Sequence, residues 1–306
     1  MNTASLQCNV CPHACMLPPG ATGRCRARKN YTGKEITSDT PGMPWIRDAC
    51  HRHPVSGIFP SNYGIVTSLA LDPIEKKPLK LFCPGSYILS AGSFGCNLGC
   101  PFCQNHSIST SDGSEFVSED NRLTPEELVR IAVDTKSRGN IGIAFTYNEP
   151  LVGYEYVLDT ARLAREQSLK TVLVTAGCIN KPVAKQVLPY IDALNIDLKS
   201  FRNDVYRNIL GGDLDTVRSF IETACTMCHV ELTTLIVPGM NDTEEEMTQI
   251  CDYITSLPNG ADIPLHISRF FPRHRMTDRP PTDVSTILNL HRLASARLKH
   301  VFTGNM

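Results

Sequence analysis

From about residue 86 to its end, the sequence alternates between short apolar runs and longer segments with helical spacing. The runs at 86–95 (SYILSAGSFG), 140–147 (NIGIAFTY), 170–177 (KTVLVTAG), 191–199 (IDALNIDLK), 229–239 (HVELTTLIVPG), 264–270 (PLHISRF) and 300–304 (HVFTG) read as strands. Segments 124–139, 154–167, 181–190, 213–227, 243–257 and 282–296 read as the helices between them. The first helix opens with a capping box: Thr124 is the N-cap, Pro125 takes the first helical position and Glu127 can reach back to the cap. Leu128, Ile131 and Ala132 then fall on one face. Strands apolar on both faces, separated by helices, predict a parallel sheet with helices packed outside it. Six or seven β/α units in about 220 residues fit a full or partial (β/α) barrel better than a two-sided open sheet.

A barrel gathers its chemistry at the carboxyl ends of its strands. The polar signals fall there: GCNLGCPFC after the first strand, then TYNEP, TAG, DLK, VPGMND and HISRF. Residues 1–85 lack sustained periodicity and are rich in Cys, Pro, Gly, His and Arg. They predict a small irregular segment ahead of a barrel core at 86–306.

The 306 residues carry a formal net charge of −1, so no global basic field argues for a nucleic-acid partner. No apolar run approaches the roughly 18 residues of a membrane span, and the start MNTASLQCNVCPH lacks a secretory pattern. A cytoplasmic location is the expectation. Thirteen cysteines then become informative, because clustered thiols in a reducing compartment more often bind metal than form disulfides. Cys8, Cys11, Cys15 and Cys25 form one group, which suits a closed structural site for zinc or for an iron–sulfur cluster; four unrelated thiols are the alternative. Cys50, Cys83, Cys178, Cys225, Cys228 and Cys251 are expected to be buried as small apolar residues.

The second group, Cys96, Cys100 and Cys103 in GCNLGCPFCQN, has three thiols and no fourth. His106 would complete a zinc tetrad. Alternatively, three thiolates hold three irons of a cubane and leave the fourth iron open to a ligand. Cys-x3-Cys-x2-Cys with Phe102 before the last cysteine resembles the signature of the radical S-adenosylmethionine (SAM) enzymes. DPIEKKPLKLFCPGS, CPFCQN, TYNEP, NIDLKS, ELTTLIVPGMND, PLHISRFFPR and the closing TGN are similar to the pyruvate formate-lyase activating enzyme-like branch, near the radical SAM member of the AmmeMemoRadiSam group.

That resemblance implies a partial TIM-like (β/α) barrel with a [4Fe–4S] cluster on Cys96, Cys100 and Cys103. SAM would chelate the open iron and, on one-electron reduction, yield a 5′-deoxyadenosyl radical that takes a hydrogen atom from the substrate. It implies an oxidoreductase acting on a protein glycine, with a flavodoxin- or ferredoxin-type electron donor and a glycyl radical enzyme as partner. Another peptide or a small molecule is the alternative substrate, and a non-catalytic zinc module the alternative class. Phe102 and Gln104 would border the cofactor. The family's Gly-Gly-Glu stretch becomes Tyr147-Asn148-Glu149, leaving Asn148 and Glu149 to meet the SAM ammonium. Thr175 begins the counterpart of a Thr-Asn-Gly stretch, with Ala176 replacing the amide. Asp197 and Lys199 would serve as catalytic residues beside SAM and substrate, and alternation puts both on one side of their strand with Leu198 opposite. His266 is expected at a strand end near the nucleoside, and Arg269, Glu231, Thr233 and Asn241 around the same mouth.

Overall fold

The computed structural model describes residues 4–32, 56–116 and 118–306; Cys50 and part of the amino-terminal segment lie outside them. Two small antiparallel pairs come first, β1 (Leu6–Gln7) with β2 (Met16–Leu17) and β3 (Arg28–Tyr31) with β4 (Gly57–Pro60). Among the described residues the main sheet has eight strands: β5 (Ser68–Pro73), β6 (Tyr87–Gly92), β7 (Asn140–Phe145), β8 (Lys170–Thr175), β9 (Ala193–Asp197), β10 (His229–Ile236), β11 (Leu265–Arg269) and β12 (Val301–Gly304). They lie side by side in chain order. β5 runs antiparallel to β6 and every later neighbour pair is parallel. Among the described residues β5 and β12 are the two edges, so this is an α/β fold with a partial barrel.

The connecting segments include α1 (His106–Ser109), α2 (Pro125–Asp134), α3 (Tyr154–Glu166), α4 (Lys181–Val187), α5 (Leu214–Cys225), α6 (Glu244–Ser256) and α7 (Val284–Ser295). The capping box of α2 is formed: Glu127 N donates to Thr124 Oγ1 at 3.2 Å and Thr124 N to Glu127 Oε2 at 2.8 Å. Asp213 and Thr243 cap α5 and α6 by accepting from Thr216 N and Glu246 N. Buried Val217, Phe220 and Ile221 on α5 and Ile250 and Ile254 on α6 show the stripe each helix turns to the core.

β5 was not legible as a strand, and the sheet begins some twenty residues before the expected start. The return from β5 to β6 falls at the amino-terminal end of the parallel strands. Its Ile74 and Leu79 are fully buried with Ile88, Ala144, Val172 and Ala193, and Phe82 packs against them. Ala144 and Val172 share a face with Thr146 and Val174, which line the cavity described below. The return segment therefore plugs the floor of the barrel.

The amino-terminal segment is docked on the barrel. Arg28 Nη1 donates to both carboxylate oxygens of Glu155 at 2.6 and 2.7 Å. His13 Nε2 lies 2.8 Å from Asn97 O, and Cys96 N donates to Cys25 O at 3.1 Å. Of the cysteines expected to be buried, Cys178 and Cys251 are so, Cys225 and Cys228 are half-buried, and Cys83 is exposed. Cys83 sits in a turn with φ 46°, where Ser86 N and Oγ both donate to its carbonyl, so backbone geometry rather than packing places it.

Candidate functional site

A cavity of about 400 Å³ opens at the carboxyl ends of the parallel strands. Cys96, Cys100 and Cys103 border it together with Phe102, Gln104 and Asn105. The loop that carries the thiols leaves β6 through Gly95, whose φ is 86° and where a Cβ would lie 2.6 Å from Cys25 O, so only glycine fits. Arg275 fastens the same loop from outside: its Nη2 donates to Gly99 O at 2.8 Å and its backbone N to Pro101 O at 2.9 Å. Burial pushes the Cys96 thiol well above its ordinary range, reinforced by the charges of Glu149 and Cys100. Burial pushes Cys100 up to about 11, although Lys199 pulls the other way. The protein alone therefore favours the neutral thiols there, and a cationic metal centre is what would hold the thiolates.

His106 does not join the thiols to make a zinc tetrad. Its Nδ1 is 3.3 Å from Cys103 O and its ring stacks on His274 with centroids 4.6 Å apart. Among the described residues, no group of three or more His, Cys, Asp or Glu side chains stands where it could hold a single metal ion. Cys8, Cys11 and Cys25 are buried and near enough for charge on one to act on another.

The other predicted residues divide into those that face the cavity and those that brace it. Asp197 and Lys199 both line it, joined by a 2.9 Å ion pair, while Leu198 between them is fully buried. Burial pulls the Lys199 ammonium down, but the Asp197 carboxylate outweighs it and holds the group charged. Asn148 and Glu149 border the cavity, yet their side chains are committed to protein. Asn148 Oδ1 accepts from Ser93 N at 3.2 Å and its Nδ2 donates to Gly95 O at 2.9 Å. Glu149 is 1% exposed and accepts from Thr175 Oγ1, Ala176 N and Leu151 N. Burial raises its carboxyl despite these bonds. Thr175 is spent on Glu149, so Asn148, Glu149 and Thr175 tie the ends of β6, β7 and β8 together.

His266 is a correction. It is the second residue of β11 rather than its end, and it does not line the cavity; Ser268, two residues on, does. Its Nε2 lies 2.6 Å from Glu231 Oε2. Glu231, near the start of β10, also accepts from Lys80 N and Leu81 N of the floor plug and meets His229 Nε2 at 3.0 Å. Burial raises its carboxyl, but the bonds from His229, His266 and the two backbone amides win and hold it down to about 2. Asn241 and Arg269 bind backbone carbonyls, Lys199 O and Leu235 O for the one and Thr282 O for the other. Of the four weaker candidates only Thr233 lines the cavity.

Sequence reasoning missed Lys77 and Tyr147, which line the cavity, and Asp72 beside them. Lys77 is 2% exposed and donates to Asp72 Oδ2 at 3.0 Å. The signal was present in DPIEKKP and TYNEP, but no periodicity distinguishes a lysine aimed inward from a solvated one.

A family model described as the Radical SAM superfamily matches residues 92–254, more than half of the chain. The chain is 36% identical over 304 residues to Uncharacterized protein MJ0808 of Methanocaldococcus jannaschii, covering 98% of this chain and 81% of that one. It is 26% identical to the pyruvate formate-lyase-activating enzyme of Clostridium pasteurianum over 56% of this chain and 71% of the relative. Among solved structures, a radical SAM methyltransferase from Sphaerobacter thermophilus superposes with a TM-score of 0.50 at 14% identity, over 88% of this chain and 84% of that one, a likeness of fold. The chain belongs to the radical SAM superfamily and is related to the pyruvate formate-lyase activating enzymes. The family implies a [4Fe–4S] cluster and SAM, and the donor set fits: three thiols on one loop at the rim of a cavity that, among the described residues, no fourth cysteine lines.

Proposed function

We propose that this chain is a radical SAM oxidoreductase acting on a polypeptide glycine, in the manner of its activating-enzyme relatives. The observation that carries the reading is the meeting of Cys96, Cys100 and Cys103 with the Asp197–Lys199 pair around one cavity. The thiolates of Cys96, Cys100 and Cys103 would hold a [4Fe–4S] cluster, which would supply the electron for reductive cleavage of SAM and so radical hydrogen abstraction from the substrate. Lys199 offers a half-buried cation to the SAM carboxylate, and Asp197 fixes its direction. Gln104 offers hydrogen bonds at the rim, and Thr233 Oγ1, which donates to Asn195 Oδ1, can accept one on the wall beside Phe102 and Leu235. A flavodoxin- or ferredoxin-type protein is the electron donor and the cytoplasm the location that suit this chemistry. No helix among the described residues is long and apolar enough to cross a membrane.

Protein reconstituted anaerobically, reduced and supplied with SAM should release 5′-deoxyadenosine, and with a candidate glycyl radical enzyme it should raise a glycyl radical signal. The triple variant Cys96→Ala, Cys100→Ala, Cys103→Ala should lose both the cluster and 5′-deoxyadenosine. Undiminished nucleoside formation in that variant would overturn the assignment.

A further inference from the structure

We infer that Tyr147 is a positioning residue for SAM: its phenol, anchored on Asp72 and Lys77, holds a strained turn in the shape that SAM binding needs. The inference rests on the SAM-binding reading above. Asn148 N donates to Thr146 O at 3.0 Å, closing a three-residue turn on Tyr147, whose φ is 75°. That is the rarer, strained hand of γ-turn, and glycine alone adopts positive φ without steric cost. A bulky side chain stays there only when its surroundings over-determine the conformation.

They do so from both ends of the residue. The phenol donates to Asp72 Oδ2 at 2.8 Å, and Lys77 Nζ donates to the phenol oxygen at 3.4 Å and lies 4.6 Å from the ring centre. The ring occupies space that Gly92 leaves on β6, where a Cβ would meet Tyr147 Cδ2 at 2.7 Å. At the other end, the Tyr147 carbonyl accepts from Asn105 Nδ2 at 2.8 Å, which ties the turn to the cysteine loop. Asn148 and Glu149 follow directly and brace the ends of β6 and β8. If the phenol were freed, the turn could relax, and Asn105, Asn148 and Glu149 would shift together at the rim that SAM must share with the cluster.

The test separates the conformation of residue 147 from its contacts. Reconstituted parent, Tyr147→Phe, Tyr147→Ala and Tyr147→Gly proteins are titrated with SAM. The readouts are equilibrium binding and the change SAM causes in the spectrum of the reduced cluster, with iron content and melting temperature as controls. Tyr147→Ala keeps the strain without the anchor and should bind SAM about tenfold more weakly or worse. Tyr147→Gly removes the strain and should bind more tightly than Tyr147→Ala although it is smaller. Tyr147→Phe, which loses the phenol's bonds to Asp72 and Lys77 but keeps the ring, should be several-fold weaker than the parent. Glycine no better than alanine would mean that the side chain acts by contact, and parent-like binding by the phenylalanine variant would mean that the phenol holds nothing; either overturns the inference. A parent that binds no SAM would instead sink the reading of the site on which it rests.

Discussion

Glu231 shows how a polar residue at the heart of a barrel can belong to the scaffold. It is fully buried, and its two oxygens are taken by Lys80 N, Leu81 N, His229 and His266. Its carboxyl lies near 2 against an ordinary 4.5, so its share of stability is complete above about pH 4.5 and is lost as pH falls toward 2. Glu231→Gln should therefore cost about 3 kcal/mol at neutral pH. The deficit should shrink on acidification, which melting curves of both proteins between pH 7 and 2 would show; a gap independent of pH would mean that the charge is not what binds the floor. The resemblance placed His266 at a strand end near the mouth, and Glu231 around the same mouth. Period-two alternation says which face a residue takes but not its height along the barrel, and a shift of two residues moves a side chain from the cavity to the floor.

At the scale of elements, the β/α units from β6 onward were legible because short apolar runs alternate with segments of helical spacing or a cap. β5 was not, since its six residues, SLALDP, carry no β-branched residue and end in proline. What makes it a strand is its antiparallel pairing with β6 and the burial of the segment it delivers. Leu79, with no exposed surface, carries much of that burial. Leu79→Ala should cost about 2–5 kcal/mol, seen in denaturant unfolding, while the cysteine loop at the opposite end should still assemble its cluster. Loss of iron in that variant, with the fold intact, would show that floor and mouth are mechanically coupled. The three thiols stood out by their spacing, and the Asp197–Lys199 pair by the resemblance together with strand alternation; the commitment of Asn148 and Glu149 to neighbouring strand ends was not legible, because their partners are distant in sequence.

At the scale of the whole molecule, the amino-terminal segment and the barrel meet at a buried ion pair, Arg28 with Glu155. Replacing Arg28 with Met leaves Glu155 without its cation and should destabilise the protein by about 3–5 kcal/mol. Because Cys25 O receives Cys96 N, the same variant should also take up iron less completely on reconstitution; parent-like melting and iron content would mean that the segment rests on the barrel without supporting it. The eight main strands stand in space in the order in which they occur along the chain. During synthesis, each new β/α unit therefore meets a finished edge, and none has to be inserted between two already in place. Growth is in one direction, outward from the pair β5 and β6. All three cluster thiols have emerged before β7, so they stand on that growing edge before the strands that carry Asp197, Thr233 and Ser268 have been made to enclose them.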